Sequence, residues 1–269
     1  MLRQSQGTEE RIFMSKITDA FKNGKAFIPF VTAGDPCLEV TEQILIEMDK
    51  NGADIIEVGI PFSDPIAEGI VIQEADIRAL ASGTTTDKIF DMLAKVRPQL
   101  SCAVALMTYI NPVYVYGVEK FMAKCSELDI NAVIIPDTSF EEKEVLQPTC
   151  DKYGIENISF VAPTSNERVQ KIAKDATGFM YCVSSLGVTG VRSEIKTDIG
   201  KMIQLVKAVN DIPCAVGFGI STPEQAKEMT KYADGVIVGS AIVKICAKYG
   251  NDCVPYIAEY VKSMKDAIR

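Results

Sequence analysis

Carboxylates are the residues best suited to acid–base chemistry in this chain, because the sequence contains no histidine. The lack of histidine excludes Ser-His-Asp and Cys-His catalysis and every histidine-ligated zinc site. Proton transfer is left to Asp, Glu, Lys, Tyr or Cys. Glu57 is the first candidate, since it lies within the apolar run DIIEVGI (54–60), where an unpaired carboxylate is costly. We predict a catalytic Glu57; the alternative is an ion pair with a lysine such as Lys25 at the other end of the strand.

Two further carboxylates follow in the segment SDPIAEGI (63–70). Glu68 would approach from a loop while Glu57 lies on a strand, so the two side chains could face a substrate from different sides. The alternatives are ordinary: a loop carboxylate is usually solvated, and Asp64 in Ser-Asp-Pro also suits a turn.

Three glycine clusters are candidates for anion binding: LGVTG (186–190), GFGIS (217–221) and GSAIV (239–243). The last two each follow an apolar run and lead into a predicted helix, at Pro223 and at Ser240. Backbone N–H groups at such turns, together with a helix N-terminus, are typical of phosphate sites. Plain turn formation is the alternative reading of any one cluster.

The elements that must position these residues alternate between apolar runs of strand length and amphipathic helical stretches, a rhythm typical of βα units around a parallel sheet. The predicted strands are 26–31, 54–60, 102–109, 131–137, 157–163, 178–184, 213–219 and 234–240. Eight strands favour an α/β fold consisting of a single (β/α)₈ TIM barrel, with an extra N-terminal helix over 14–21. Residues 1–13 are expected to form a flexible tail and residues 14–269 the catalytic domain.

Two connections, 61–83 and 185–196, are longer than usual for βα units, and we predict that both are functional loops. In a barrel they would open at the C-terminal face of the strands, where active sites lie. Helices are predicted over 40–52, 118–128 and 240–250, the first and last stopping at glycine.

The amino-acid composition indicates which kinds of partner and which cellular compartment to expect. A formal net charge of −8 over 269 residues disfavours nucleic acid and anionic membranes. The polar start predicts no secretory signal, and no apolar run is long enough to span a membrane. Eight cysteines without a CxxC pair indicate a reducing, cytoplasmic location. No predicted strand from the second onward carries the lysine that a Schiff-base aldolase would need.

The chain resembles the tryptophan synthase alpha subunit family from about Phe27 to Tyr249. The resemblance rests on several runs in the family's order and spacing: FIPFVTAGDP (27–36), IEVGIPFSDPIAEG (56–69), MTYINPV (107–113), GVTG (187–190), GFGIS (217–221) and VGSAIVK (238–244). It implies a lyase that cleaves indole-3-glycerol phosphate to indole and glyceraldehyde 3-phosphate in tryptophan biosynthesis.

The resemblance also implies residue roles. Glu57 matches the general acid/base, and Glu68 falls where the family more often has Asp, the group that accepts a hydrogen bond from the indole N–H. The other matches are substrate contacts at Phe30, Tyr109, Tyr181, Thr189 and Phe218, a phosphate cradle at Gly190, Gly219, Gly239 and Ser240, and partner-facing positions at Pro61, Asp64 and Asn111.

For partners and cofactors, the resemblance implies an alpha2beta2 heterotetramer with the tryptophan synthase beta subunit. Pyridoxal phosphate is expected only in that partner, and this chain is expected to need no cofactor and no metal. Three other functions remain open: a catalytically weak subunit retained to activate a beta subunit, a stand-alone lyase releasing free indole, and a metal-dependent barrel lyase using Asp64 and Glu68 as ligands.

Overall fold

A parallel barrel surrounded by helices forms the body of the molecule. The computed structural model describes residues 15–163, 165–183, 192–217 and 219–269. The strand segments in these ranges are β1 (Ala26–Thr32), β2 (Ile55–Gly59), β3 (Ala103–Met107), β4 (Ala132–Ile134), β5 (Glu156–Asn157), β6 (Ser159–Val161), β7 (Met180–Val183), β8 (Cys214–Gly217) and β9 (Gly235–Val238).

The strands occupy eight positions of a nearly closed barrel. They are ordered β5-β4-β3-β2-β1-β9-β8-β7-β6, and all recorded pairings are parallel. Only Ile158 separates β5 from β6, so the two ends of the sheet meet in one continuous stretch of chain. The predicted (β/α)₈ fold is thereby confirmed, and each predicted run overlaps one position of the barrel.

Helices follow most of the strands. They are α1 (Lys16–Asp19), α2 (Leu38–Lys50), α3 (Ile70–Ala81), α4 (Thr86–Val96), α5 (Ile110–Tyr116), α6 (Val118–Glu127), α7 (Gln147–Tyr153), α8 (Asn166–Lys174), α9 (Arg192–Lys207), α10 (Pro223–Met229), α11 (Ser240–Tyr249) and α12 (Val254–Ile268). Short 3-10 helices cover Arg97–Gln99, Phe140–Val145 and Gly250–Asp252. No helix of the described ranges is long and apolar enough to cross a membrane.

Several predicted boundaries change in the structure. The connection 61–83 is not one long loop, because α3 occupies residues 70–81, and residues 192–196 of the second connection belong to α9. The extra helix predicted over 14–21 is not confirmed at that length: one helical turn, α1, precedes β1 and begins at the cap Ser15, whose side chain accepts a hydrogen bond from the N–H of Ile17.

The core consists of an apolar layer between strands and helices and a smaller cluster inside the barrel. The inner cluster includes Ile17 of α1 and Phe179, which follows a glycine before β7. Ile17 is fully buried, so α1 closes the N-terminal end of the barrel. The opposite end, where the strands finish, is left for a binding site.

Candidate active site

A cavity of about 460 Å³ opens at the C-terminal ends of the strands. Strands β1, β2, β3, β7 and β9 contribute to its wall, and the connections before α3, α10 and α11 form its rim. Its lining residues are Phe30, Glu57, Ala67, Glu68, Gly69, Ile72, Met107, Tyr181, Gly219, Ile220, Ser221, Ile237, Gly239, Ser240, Ala241 and Lys244.

Glu57 lies on the barrel wall at the bottom of this cavity. It is the central residue of β2, in register with Phe30 of β1 and Ala105 of β3, and only 1% of it is exposed. Its Oε2 atom is buried without a hydrogen-bond partner among the described residues. The alternative pairing with Lys25 is wrong, because the ammonium of Lys25 donates to the carbonyl of Ala233 at 2.8 Å.

Burial changes the acidity of Glu57. Desolvation, followed by the charge of Glu68, raises the pKa of Glu57 to about 8. A carboxyl group with that pKa carries its proton at neutral pH and releases it readily, which suits a general acid that later acts as a base.

Glu68 lies on the loop between β2 and α3, whose backbone is anchored at two points. The N–H of Ala67 donates to the hydroxyl of Tyr109 at 3.0 Å, and the side-chain amide of Gln73 donates to the carbonyl of Glu68 at 2.8 Å. The carboxylate therefore starts from a fixed backbone position, and Glu68 lines the same cavity as Glu57. Burial raises the pKa of Glu68, while hydrogen bonds with Asp76 and Tyr109 act in the opposite direction.

Asp76 is a third carboxyl group at this site, and sequence reasoning missed it. It lies on the buried face of α3 with Ile72, Ala75 and Ala79, and only 4% of it is exposed. Desolvation, then the charge of Glu68, raises its pKa to about 8. An acidic residue in the apolar stripe of an amphipathic helix is the signal that could have identified it.

The predicted aromatic contacts do not all reach the cavity. Phe30 on β1 and Tyr181 on β7 both line it. The absence of a side chain at Gly217 leaves space for the ring of Tyr181, because a Cβ at Gly217 would lie 2.6 Å from a carbon of that ring. Tyr109 is only 2% exposed, lies behind the Glu68 loop rather than on the lining, and packs against Phe62 with ring centroids 5.3 Å apart.

Three residues of the predicted phosphate cradle line the cavity: Gly219, Gly239 and Ser240. Gly219 has φ of +76°, a conformation that residues with a side chain rarely adopt. Ser240 begins α11, and its cap Gly239 makes no side-chain capping hydrogen bond.

Only one of the two expected helix N-termini is open to an anion. At α10, the side chain of Gln225 accepts hydrogen bonds from the N–H groups of Ser221 and Thr222, so these donors are already satisfied. Helix α11 has no such side-chain cap and directs its positive dipole end at the rim. Lys244, one turn into α11, adds a cation to the lining that sequence reasoning did not identify.

The remaining predicted residues fall into two groups. Thr189, Gly190 and Phe218 lie outside the described residues. Of the positions expected to face a partner, Asp64 and Asn111 are exposed and Pro61 is buried. Exposed apolar side chains accompany them, notably Ile66 at 80% and Ile70 at 67% exposure.

Together, the open end of a (β/α)₈ barrel, a buried carboxyl group poised to transfer a proton, and a glycine-rich rim beside a helix N-terminus define a barrel enzyme for a small anionic substrate. Comparison with known sequences gives the family. The model of the family described as "Tryptophan synthase alpha chain" matches residues 17–269, and the chain belongs to this family.

Individual relatives agree with the family match. The chain is 43% identical over 257 residues to the tryptophan synthase alpha chain of Lacticaseibacillus casei, covering 96% of this chain and 97% of that one. It is 48% identical over 235 residues to the tryptophan synthase alpha chain of Halalkalibacterium halodurans, covering 86% and 88% of the two chains.

Solved structures have the same fold. The tryptophan synthase subunit alpha of Campylobacter jejuni superposes with a TM-score of 0.83 at 36% identity, covering 91% of this chain and 97% of that one. A chain from the tryptophan synthase a2b2 complex of Pyrococcus furiosus gives a TM-score of 0.83 at 35% identity, with 90% and 99% covered.

Proposed function

We propose that the protein cleaves indole-3-glycerol phosphate to indole and glyceraldehyde 3-phosphate, as the alpha subunit of tryptophan synthase. The observation that carries the proposal is the buried Glu57, which lines a cavity together with Glu68 and with the glycine-rich turns before α10 and α11. Family membership supports the choice of substrate within the wider class of barrel enzymes.

Glu57 supplies the proton transfers of this reaction. Its protonated carboxyl group donates a proton to the indole ring carbon that bears the glycerol side chain. The resulting carboxylate then accepts the proton of the adjacent glycerol hydroxyl; the carbon–carbon bond breaks, its electrons return to the ring and an aldehyde forms. A pKa of about 8 allows one group to perform both transfers at neutral pH.

Glu68 stabilises the charged intermediate between these transfers. Protonation of the ring carbon puts positive charge on the indole nitrogen, and a carboxylate that accepts the N–H hydrogen bond lowers the energy of that state selectively. Phe30 and Tyr181 hold the indole ring from the two sides of the cavity. The backbone N–H groups at Gly219, Gly239 and Ser240 receive the phosphate, with Gly190 as a further donor.

A beta subunit is the proposed partner, in an alpha2beta2 complex. Mutual activation is described for the a2b2 complex to which the Pyrococcus furiosus relative belongs. The exposed Ile66 and Ile70 on the Glu68 loop offer apolar surface for such a contact, so partner binding would act directly on the loop that carries Glu68.

The chain is proposed to need no cofactor and no metal of its own, because Glu57 and Glu68 account for every proton and charge in the cleavage. Pyridoxal phosphate would belong to the beta partner. We also propose a cytoplasmic location, which fits the eight cysteines, all of them free thiols.

The decisive experiment measures indole release from indole-3-glycerol phosphate by the purified chain, alone and with a beta subunit added. Slow release that rises strongly with the beta subunit is the expected result. Fast release without a partner would favour a stand-alone lyase, and no release in either case would favour a subunit kept only to activate its partner. Loss of activity in a chelator would instead favour the metal-dependent alternative.

A further inference from the structure

Three carboxyl groups, Glu57, Glu68 and Asp76, gather at one end of the barrel. No ion pair among the described residues includes any of them. The nearby Arg78 is committed elsewhere, donating from Nε and Nη2 to the two carboxylate oxygens of Asp35 at 2.8 Å each. Three adjacent anions in a buried site would repel strongly, so some of these groups must keep a proton.

Contact between Glu68 and Asp76 indicates where one proton resides. The two side chains interact directly, and Oε2 of Glu68 is buried without a hydrogen-bond partner among the described residues. Two carboxyl groups can share a hydrogen bond only if one of them is protonated, so a proton on Asp76 would supply the missing donor. Asp76 is 4% exposed and absent from the cavity lining, whereas Glu68 is partly exposed and lines the cavity. The charge is therefore less costly on Glu68.

We propose that Asp76 is a positioning residue that remains protonated at neutral pH and donates a hydrogen bond to the ionised Glu68, fixing that carboxylate toward the cavity. The proposal rests on the proposed function for the role of Glu68. Asp76 itself does not touch the substrate.

This arrangement makes the Glu68 loop sensitive to alkaline pH. Titratable and charged groups surround the pair formed by Glu68 and Asp76. They are Glu57 on β2, Asp35 after β1, Tyr109 before α5 and Arg78 on α3 itself. Helix α11, which packs against α3, adds Lys244 and Cys246. When Asp76 loses its proton, Glu68 loses a donor and gains a second anion beside it. The carboxylate would then leave its position.

The protonation state can be measured directly, without substrate, on protein labelled with ¹³C at the aspartate side-chain carboxyl carbons. We expect one aspartate signal to titrate with a midpoint near the pKa of about 8. That signal should be missing from Asp76→Asn and should shift to a lower midpoint in Glu68→Gln, which removes the neighbouring charge. Glu74→Gln, at an exposed position of the same helix, is the matched control and should leave it unchanged.

Kinetics then test whether the proton positions Glu68. Asp76→Asn keeps an N–H donor for Glu68, so kcat at neutral pH should stay close to wild type while the alkaline decline becomes shallower. Asp76→Leu removes the donor, and kcat should fall by about tenfold to hundredfold, as for other misplaced catalytic groups, with a smaller change in KM.

Three results would overturn the proposal: no aspartate titrating in the alkaline range, an Asp76→Leu enzyme as active as wild type, or equal losses in Asp76→Asn and Asp76→Leu. Failure of the proposed function would look different. A wild-type protein that released no indole would remove the substrate assignment, whereas the aspartate titration would still be observed.

Discussion

Glu68 and Glu57 line the same cavity, and the negative charge of Glu68 helps to raise the pKa of Glu57 to about 8 after the larger effect of burial. The group proposed to stabilise a cation thus also keeps the general acid protonated. The two functions depend on each other, because removing the charge of Glu68 would weaken both. Substitutions of Glu57 and of Glu68 should therefore change different kinetic properties and change them by different amounts.

Glu57→Gln is expected to remove proton transfer while preserving the shape of the cavity floor. The amide cannot shuttle a proton, so kcat should fall by about 10²- to 10⁴-fold, the usual contribution of a general acid/base. Substrate affinity, measured by isothermal titration, should remain near the wild-type value. Glu74→Gln on the surface of α3 serves as the control for loss of a carboxylate. An active Glu57→Gln enzyme would remove the mechanism altogether.

Gly219→Val should raise KM much more than it lowers kcat. The residue has φ of +76° and lies at the proposed phosphate cradle, so a side chain both strains the turn and displaces its N–H group. Gly154→Val is the matched control, since Gly154 has φ of +67° at the end of α7, away from the cavity. If both variants lose stability alike and neither changes KM, Gly219 does not bind phosphate.

Lys244→Gln should raise KM by about five- to tenfold at low ionic strength, with little change in kcat. The ammonium group lines the cavity beside the uncapped start of α11, where it attracts the substrate phosphate without touching the reacting atoms. The gap between wild type and variant should shrink as salt is added, because exposed charges are screened. Lys248→Gln, one turn further along α11, is the control. A salt-independent difference would argue against an electrostatic role.

Thermal stability should fall as pH rises from about 4 to about 8. The native pKa values of Glu57 and Asp76 are raised to about 8, so in this range the folded protein holds protons that the unfolded chain has released. Unfolding then releases protons, and higher pH favours it. Asp76→Asn should flatten this decline and give a higher Tm than wild type at about pH 8, with no gain near pH 4. A parallel decline in both proteins would show that Asp76 is ionised in the native state.

Much of this architecture could be predicted from the sequence because its signals are local. Apolar runs separated by amphipathic stretches located all eight strand positions, and Glu57 was conspicuous as a charge inside one of them. The helix starts at Pro223 and Ser240 followed from the glycine turns before them. Most predicted strands were longer than observed, as at 102–109, where β3 ends at Met107 and Tyr109 already caps α5.

Other features depend on contacts that one sequence does not display. The sequence predicts a long loop over 61–83, where the structure has helix α3, so the sequence does not place Asp76 on a buried helix face. The hydrogen bond by which Gln225 caps the N-terminus of its own helix α10 is likewise visible only once the turn before the helix is known in three dimensions. The position of Tyr109 behind the Glu68 loop follows from its hydrogen bond to the N–H of Ala67, a contact between residues 42 positions apart.

Glu68→Ala should lower kcat heavily, because the protonated indole loses its counter-charge, but Glu68→Asp is the more informative change. The resemblance to the tryptophan synthase alpha family implies that aspartate is the more usual residue at this position. In this chain, however, the backbone of the loop is fixed through Ala67 and Gln73, and the longer side chain interacts with Asp76 and Tyr109.

Shortening residue 68 by one methylene should therefore withdraw the carboxylate from Asp76, Tyr109 and the substrate nitrogen together. A displacement of about 1 Å can cost on the order of 10²-fold in rate, so we expect Glu68→Asp to lower kcat/KM by about tenfold to hundredfold. The double variant Glu68→Asp with Asp76→Leu should lose little more than Glu68→Asp alone, because the shorter carboxylate no longer reaches position 76 and the donor removed by Asp76→Leu is no longer used. A several-fold gain in kcat/KM for Glu68→Asp would show instead that Glu68 impairs the site, and would favour a catalytically weak subunit retained to activate its partner.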